Sequence, residues 1–335
     1  MRTESRPEES AARAQGGLMD GLMNGSMNET ADGSTRGFMN KEVEMRRAMA
    51  VVFLVVLFAS PAAGQSEDGL KVFISVDMEG ISGVVTPEET SRSGQDYGYF
   101  RTIMTMETNA AIEGALAAGA TDIVVRDSHG SARNILPELL NRNARLLRDW
   151  SGGHLSMMEG IDETFDAVVF IGYHAKAGTA NAIIDHTSSG NVTNVEINGI
   201  SMPEAGYNAL MAGYYDVPVV FVGGDQAICD QVKERFSDVE TVAVKQGIGA
   251  ASLGLHPEVA REKIRVGVEH ALRTLDRFQP YELSPPYTLV LTMKTEAVVF
   301  NGALYPGAER TGDWELTFTS DDLMEVMRAY QWMRK

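Results

Sequence analysis

The fold is decided by the run KVFISVDMEG, residues 71–80, in which a six-residue strand pattern is followed at once by two carboxylates. Two further apolar runs of this kind are DIVVR, residues 122–126, and DAVVFI, residues 166–171. Small and apolar residues recur at helical spacing over residues 99–118, and Gly119 is placed to end that helix. Apolar strands that alternate with helices are typical of a parallel sheet covered on both sides. The sequence therefore predicts an α/β fold, a largely parallel sheet flanked by helices on both faces.

The alternation of strand and helix patterns continues to about residue 278. The further patterns in this part are strands at 192–197, 218–222 and 239–244, and helices at 135–141, 204–214 and 257–275. Beyond a proline-containing segment at 280–286, the patterns are strands at 287–293 and 314–318 and a helix at 321–333. We therefore predict an α/β core over residues 65–278 and a smaller C-terminal α+β portion of the same unit over residues 279–335.

The first 64 residues have the features of a leader that is removed. Arg46-Arg47 precede an apolar run at 48–59, and SPAAG at 60–64 supplies small residues for cleavage. The run is shorter than the roughly 20 residues that a membrane span needs. We predict a signal peptide over about 45–64, a periplasmic or secreted location, and no stable membrane span after processing. An uncleaved membrane anchor is the alternative, and a translation start at Met39 or Met45 would place the basic residues normally.

The charge and the cysteine count argue against a nucleic-acid partner and against cysteine-based sites. The formal net charge is −17, and residues 1–64 contain seven basic and eight acidic residues, so −16 belongs to the remainder. Because binding to phosphate backbones needs a basic surface, we exclude nucleic acid as a partner. Cys229 is the single cysteine, which excludes an intrachain disulfide and a cysteine-based zinc site, and its place in a predicted helix favours a buried apolar role. Nitrogen and oxygen atoms must therefore hold any metal.

Side chains that can bind metals follow the three central strands. Asp77 and Glu79 come directly after the first strand, and residues i and i+2 of an extended chain point to the same side. His129 follows the second strand and His174 follows the third. Carboxyl ends of parallel strands meet at one sheet edge, where open α/β folds bind ligands. Histidines and carboxylates together suit a borderline divalent ion such as zinc.

Three other polar residues near these positions have open interpretations. Glu204 falls in the first turn of a predicted helix, where the helix dipole favours a carboxylate in any case. It is therefore either structural or a further ligand. His186 lies in a polar loop and is a candidate general acid or base. Asp127 either orients the imidazole of His129 or caps the helix predicted to follow.

The run SVDMEGISG, residues 75–83, resembles the signature of the zinc-dependent D-aminopeptidase family. Further matches in the same order and spacing are DSH at 127–129, MEG at 158–160, FIGYHA at 170–175, Glu204 with Asn208, and AGYYDVPV at 212–219. The resemblance covers about residues 71–250. It implies a two-zinc site with five ligands, Asp77, Glu79, His129, His174 and Glu204, and it implies that His186 is the catalytic residue.

The resemblance also implies what the chain does. It implies a metallo-aminopeptidase that releases N-terminal D-amino acids, such as D-Ala, from short peptides by means of a water activated by two zinc ions. The predicted signal peptide, and not the resemblance, is the reason to expect export. It further implies a homo-oligomer, typically a decameric ring.

Two alternative functions share parts of the same pattern. A dinuclear phosphoesterase would need basic residues near the ligands, and Arg126 and Lys176 are the candidates. A periplasmic solute- or metal-binding protein would share the acidity and the α/β pattern without turnover. The chain has no Gly-x-Ser-x-Gly and no His-Glu-x-x-His motif, which argues against a serine hydrolase and a thermolysin-like protease.

Overall fold

The computed structural model describes residues 69–236 and 238–335, in which the chain forms twelve strands. They are β1 (Leu70–Val76), β2 (Ala120–Asp127), β3 (Arg145–Leu147), β4 (Ala167–Tyr173), β5 (Val192–Ile197), β6 (Ile200–Ser201), β7 (Val219–Asp225), β8 (Glu240–Ile248), β9 (Ala251–Gly254), β10 (Tyr287–Met293), β11 (Glu309–Gly312) and β12 (Glu315–Ser320). Seven of them form one sheet in the order β3-β2-β1-β4-β7-β8-β9. Its neighbours are parallel except for β9, which runs antiparallel at the edge.

The same residues form seven α-helices. They are α1 (Pro87–Thr90), α2 (Tyr97–Ala117), α3 (Glu204–Tyr214), α4 (Gln226–Lys233), α5 (Pro257–Arg273), α6 (Glu296–Gly302) and α7 (Leu323–Met333). Helices α2 and α5 pack together on one face of the large sheet, while α3 and α4 belong to the core on the other face. The predicted α/β fold, with a largely parallel sheet between helices, is therefore confirmed.

The alternation of side chains along β1 explains why both faces are covered. Val72, Ile74 and Val76 lie in the core with α2 and α5, whereas Phe73 lies in the core on the opposite side. Successive residues of a strand point to opposite faces, so an almost continuous apolar run must be buried on both. Ser75 is the polar exception and faces the α3 side, where it binds other hydroxyl groups.

The strand order places a crevice at the carboxyl end of β1. The chain passes from β1 to β2 and β3 on one side and then returns to β4 on the other side. In open α/β sheets such a reversal separates the loops that leave two neighbouring strands, and ligands bind between them. The loops that follow β1 and β4 flank this position.

A second sheet is antiparallel and combines distant parts of the chain. Its order is β11-β12-β10-β5-β6, so the hairpin of β5 and β6 joins strands that come about 90 residues later. Asn198 and Gly199 both have positive φ, as a tight hairpin turn requires. This sheet shares its core with α3 and α7. It therefore connects the loop before β5 and the start of α3 to the C-terminal part.

The helix predicted at residues 135–141 is wrong. Residues 135–141 form turns, and the backbone N–H of Asn141, which a helix would direct to the carbonyl oxygen of Pro137, binds the Asn109 side chain instead. Among the described residues, no helix combines the length and apolarity needed to cross a bilayer. The predicted leader and its apolar run at 48–59 fall outside the described residues.

Candidate metal centre

The five predicted ligands and His186 lie together at the carboxyl edge of the large sheet. In chain order they are Asp77 and Glu79 after β1, His129 after β2, His174 after β4, His186 in the loop before β5, and Glu204 at the start of α3. Four of the six are buried, and the two histidines that reach the surface are His129 and His186. They form two groups of three that could each hold a metal ion.

The first group contains Asp77, Glu79 and His129. His129 Nδ1 lies 3.1 Å from Asp77 Oδ1 and 2.9 Å from Glu79 Oε2. The other ring nitrogen, Nε2, lies 3.0 Å from the carbonyl oxygen of Thr90, which can only accept, so Nε2 carries the proton. Burial disfavours a second proton on this ring, but the charge of Glu79 and hydrogen bonds with both carboxylates raise the pKa of His129 well above its ordinary value. Because Nδ1 lies between two carboxylates, a proton or a metal ion is favoured at this atom.

The second group contains His174, His186 and Glu204. One ring nitrogen of His174 has no partner among the described residues. Its Nδ1 donates to the carbonyl oxygen of Ala175 over 3.0 Å. Its Nε2 lies 3.5 Å from Asp77 Oδ2 and 3.7 Å from Glu204 Oε1, and this buried atom has no hydrogen-bond partner among the described residues. Burial opposes protonation of the ring, yet its interactions with Asp77 and Glu204 raise the pKa of His174 to about 10.

These distances fit a zinc ion. Ligand atoms held about 2.1 Å from a tetrahedral ion lie about 3.4 Å from one another. The separations around His174 Nε2 are close to that value and are too long for strong hydrogen bonds. Imidazole nitrogens with carboxylate oxygens are also the donors that zinc takes in the absence of cysteine. The residues present therefore fit the metal that the sequence predicts.

Asp77 belongs to the first group and lies between the two groups. Its Oδ1 faces His129 and its Oδ2 faces His174, as expected of a carboxylate that bridges two ions. Burial opposes its ionisation, but hydrogen bonds with the two histidines, and their charges, hold the pKa of Asp77 well below its usual range. Burial raises the pKa of Glu204 instead, against the opposing charge of His174.

His186 stands at the open side of the second group. Its ring stacks on that of His174, with centroids 4.1 Å apart. Nδ1 lies 3.1 Å from the carbonyl oxygen of Ile184 and donates to it, which leaves Nε2 free. Nε2 lies 3.9 Å from the nearer carboxylate oxygens of Glu79 and Glu204. The atom can therefore reach a metal or a reacting group in the cavity.

Buried polar contacts anchor the loop after β1. Lys245 Nζ, on β8, donates to the backbone carbonyls of Glu79 and Val84. The Glu107 carboxylate, on α2, accepts from the backbone N–H of Ser82 over 2.9 Å. Burial lowers the pKa of Lys245 to about 8 against the attraction of neighbouring carboxylates. The backbone that carries Glu79 is thus held from two other elements.

Two glycines let the loops after β1 and β4 touch. The N–H of Gly80 donates to the carbonyl oxygen of Gly172 over 2.8 Å. A Cβ atom on Gly80 would lie 1.8 Å from the carbonyl oxygen of Tyr173, and one on Gly172, where φ is +72°, would lie 2.2 Å from that of Asp77. Any side chain at either position would push the loops apart.

A buried hydroxyl network lies beneath the centre. Ser75 Oγ lies 2.8 Å from Tyr173 Oη and 3.1 Å from Ser128 Oγ, and it donates to the carbonyl oxygen of Met157. Asn208 Nδ2, one turn after Glu204 on α3, donates to Tyr173 Oη over 3.0 Å. The network therefore sets the position of α3 relative to β4.

Asp127 supports the loop of His129 in a way that neither sequence interpretation anticipated. Its carboxylate accepts from the backbone N–H groups of Asn134 and Ile135 and from the Asn134 amide. It caps no helix, and its hydrogen bonds do not go to the imidazole. The carbonyl oxygen of Thr90 orients the His129 ring instead.

Arg126 is not available to bind phosphate. It is fully buried and donates to the carbonyl oxygens of Asp149 and Ser156, with its guanidinium 4.5 Å from the ring of Trp150. Burial lowers its pKa. The sequence-based argument that connects Arg126 with a phosphoesterase therefore fails, and the side chain supports the loop that contains Trp150.

A cavity of about 480 Å³ opens from the centre. Its lining includes the carboxylates of the centre, His129, His186, the Trp150 loop, Ser188 to Gly190, Tyr207, Gln331, Arg334 and Lys335. The sequence interpretation missed Lys245, Tyr207 and Arg334. Lys245 and Arg334 reach the site from elements far away in sequence and belong to no motif used for the resemblance, whereas Tyr207 lies on α3, which begins with Glu204. Of the three, only Tyr207 had a local signal, because residues three positions apart on a helix share a face.

Comparisons with known proteins identify the family of this chain. A sequence profile of a family described as D-aminopeptidase matches residues 70–332. A D-aminopeptidase of Bacillus subtilis (strain 168) is 36% identical over 268 residues, which cover 78% of this chain and 95% of that protein. The structure is similar to that of the Zn-dependent D-aminopeptidase DppA from Bacillus subtilis, described as a self-compartmentalizing protease. The TM-score is 0.76 at 34% identity, over 79% of this chain and 96% of the other.

Proposed function

This chain belongs to the D-aminopeptidase family and is a metallo-aminopeptidase, and on that premise we propose that two zinc ions serve its reaction. The proposed substrates are short peptides with an N-terminal D-amino acid such as D-Ala. The observation that carries the two-metal proposal is the position of Asp77 between two groups of ligands, together with the unpartnered Nε2 of His174. Asp77, Glu79, His129, His174 and Glu204 would hold the metals.

Zinc bound by these residues would supply Lewis acidity, which lowers the pKa of a bound water molecule to about 7. The chain itself supplies a proton carrier. The Nδ1–H group of His186 donates to the carbonyl oxygen of Ile184. Its Nε2 can therefore take up a proton and deliver it to the leaving amine. The partly exposed ring faces the cavity, as a group that contacts substrate must.

The proposed activity is tested with the p-nitroanilides of D-Ala and L-Ala. We expect the D-Ala compound to be hydrolysed faster and a chelator to abolish hydrolysis, with recovery on addition of zinc. Activity that survives complete removal of metal would contradict the zinc mechanism. Equal rates for the two enantiomers would contradict the D-specificity but leave the aminopeptidase reaction. Metal analysis that finds two zinc ions per chain supports the two-zinc site, and one ion contradicts it.

We also propose a homo-oligomer, with a decamer as the expected size. The support is the description of the similar DppA structure as self-compartmentalizing, together with large apolar side chains that lie exposed here. Phe300 lies on α6, Leu304 follows this helix, and Trp332 lies on α7. Exposed apolar surface of this kind marks association sites. Light scattering coupled to size-exclusion chromatography measures the mass directly, and a monomer at micromolar concentration would contradict the proposal.

Export remains a proposal that rests on the N-terminal sequence. The basic pair Arg46-Arg47, the apolar run and the small residues at 60–64 support it. Expression with the native N-terminus, followed by N-terminal sequencing of the periplasmic and cytosolic fractions, tests it. We expect a mature protein that begins near residue 65, and an uncleaved cytosolic product would contradict export.

A further inference from the structure

Arg334 places a positive charge in the wall of the cavity that contains the metal ligands. It lies directly after α7 and lines the same cavity as Asp77, Glu79 and Glu204. In a chain with a formal net charge of −17, arginines have many carboxylates to pair with. An arginine that faces the cavity without such a pair therefore requires an explanation.

The contacts of Arg334 leave most of its hydrogen-bonding capacity free. Nη2 donates to the Gln331 side-chain oxygen. Nε is buried and has no partner within residues 69–236 and 238–335. Other arginines, such as Arg265 and Arg310, form ion pairs with carboxylates, whereas in the same ranges no ion pair includes Arg334. The guanidinium packs against the Tyr330 ring, with its centroid 5.3 Å away, which holds the group in place.

We propose that Arg334 binds the free C-terminal carboxylate of the peptide substrate. A guanidinium offers parallel N–H groups that match a carboxylate, and the one hydrogen bond that this side chain makes within residues 69–236 and 238–335 uses Nη2 alone. The inference rests on the proposed function, in which the amino end of the peptide lies at the metal centre. The amino end of such a peptide would lie near the carboxylates of the centre, and its carboxylate would lie near the guanidinium of Arg334.

The arrangement defines a substrate class. The cavity volume of about 480 Å³ lies within the range of about 300 to 1,000 Å³ for small-molecule sites. Each additional residue lengthens an extended chain by about 3.3 to 3.6 Å, so a fixed distance between metal centre and arginine selects for length. Di- or tripeptides with a free carboxylate are the expected substrates, and carboxyl-blocked peptides bind less well.

The test compares D-Ala-D-Ala with its C-terminal amide, which differs only in the charged group. With the zinc-loaded enzyme we expect kcat/KM to be about 10- to 100-fold higher for the free acid, the range for a hydrogen bond to a charged group. Arg334→Gln should remove this preference by raising KM for the acid while leaving the amide unchanged. Arg334→Lys should retain part of the preference, because it keeps the charge.

Arg328→Gln is the matched control, since Arg328 is an exposed arginine on α7, the helix that Arg334 follows, and does not line the cavity. It should leave the acid preference unchanged. Equal losses for acid and amide in Arg334→Gln would overturn the inference and assign Arg334 a structural role. Equal kcat/KM for the two substrates in the unmodified enzyme would overturn the inference alone. Hydrolysis of neither substrate, in the D or the L configuration, would overturn the proposed function as well.

Discussion

The loops that follow β1 and β4 both contribute to the candidate centre, but the protein holds them differently. Residues 77–86 are fixed by Lys245 from β8 and Glu107 from α2, neither of which is a proposed metal ligand. The loop after β4 carries His186 and is tied in part to the centre itself, because Ser188 N–H donates to Glu204 over 2.5 Å. The first loop is therefore placed by the scaffold, whereas the position of the second depends on a proposed ligand.

The exposure of the two loops shows the same difference. The Glu79 side chain is 6% exposed, whereas that of His186 is 29% exposed. A ligand that must hold a metal gains from rigid support, and a proton carrier must reach both the metal centre and the leaving group. The comparison predicts that changes in the first loop alter stability and metal binding, and that changes in the second alter turnover.

The largest expected effect comes from His186→Ala. We expect turnover to fall by about 10²- to 10⁴-fold, the usual contribution of a general acid or base. Zinc content and melting temperature should stay close to those of the unmodified protein, because His186 is a proton carrier and not a ligand in this proposal. Metal analysis and calorimetry measure both. Loss of zinc together with turnover would show that His186 is a ligand and would break the comparison.

Lys245→Met should have the next largest effect, now on stability. It leaves the carbonyls of Glu79 and Val84 without their donor, and each unsatisfied buried group costs about 1–3 kcal/mol. The free energy of unfolding should therefore fall by about 2–4 kcal/mol in urea titrations, with weaker zinc binding. Lys263→Met, at an exposed position on α5, is the control and should change little. An unchanged stability in Lys245→Met would contradict the anchoring role.

Metal removal should loosen only the loop after β4. Burial raises the pKa of Glu204, so without metal its carboxylate becomes a weaker acceptor for Ser188 N–H. We expect limited proteolysis of the chelated protein to cut within residues 177–190 and to leave 77–86 intact, as located by mass spectrometry. Cys229 is buried with its pKa raised to about 12, so its labelling by a thiol reagent reports global unfolding and should not increase. Cleavage in both loops would remove the distinction.

The smallest effect is expected for Asp185→Ala. Asp185 accepts from the backbone N–H groups of Gly178 and Thr179 and so shapes the loop of His186 locally. Loss of about 1 kcal/mol of such hydrogen bonding should lower kcat by about 3- to 10-fold. The melting temperature should hardly change. Asp162→Ala, which removes a similar loop carboxylate away from the cavity, is the control and should leave kcat unchanged. A lower melting temperature with unchanged kcat would reverse the expectation.

The sequence predicted those parts of the site that depend on local pattern. Asp77, His129 and His174 follow buried strands, and parallel pairing alone brings such positions to one edge. Glu204 could not be assigned from residues, since a carboxylate at a helix start is favoured with or without a metal. The failed helix at 135–141 shows a limit of periodicity, because the Asn109 side chain on α2 binds the N–H of Asn141 that a helix would use.

Long-range pairing was beyond any local pattern. The strand at 192–197 is recognisable, but nothing in it indicates that it pairs with residues 289–293 rather than with the large sheet. Lys245 and Arg334 gain their roles only through this tertiary arrangement. Their neighbours in sequence say nothing of Glu79 or of the cavity.

The hairpin of β5 and β6 has a consequence for the order in which the molecule matures. His186 and Glu204 lie on either side of this hairpin, and β5 finds its long partner only when β10 has been synthesised. Asp77, Glu79 and His129 belong to strands completed much earlier. We expect a chain ending at residue 278 to lack a correctly placed His186 and Glu204, which zinc titration of the truncated protein would reveal. A peptidase built in this way becomes competent only at the end of its own synthesis.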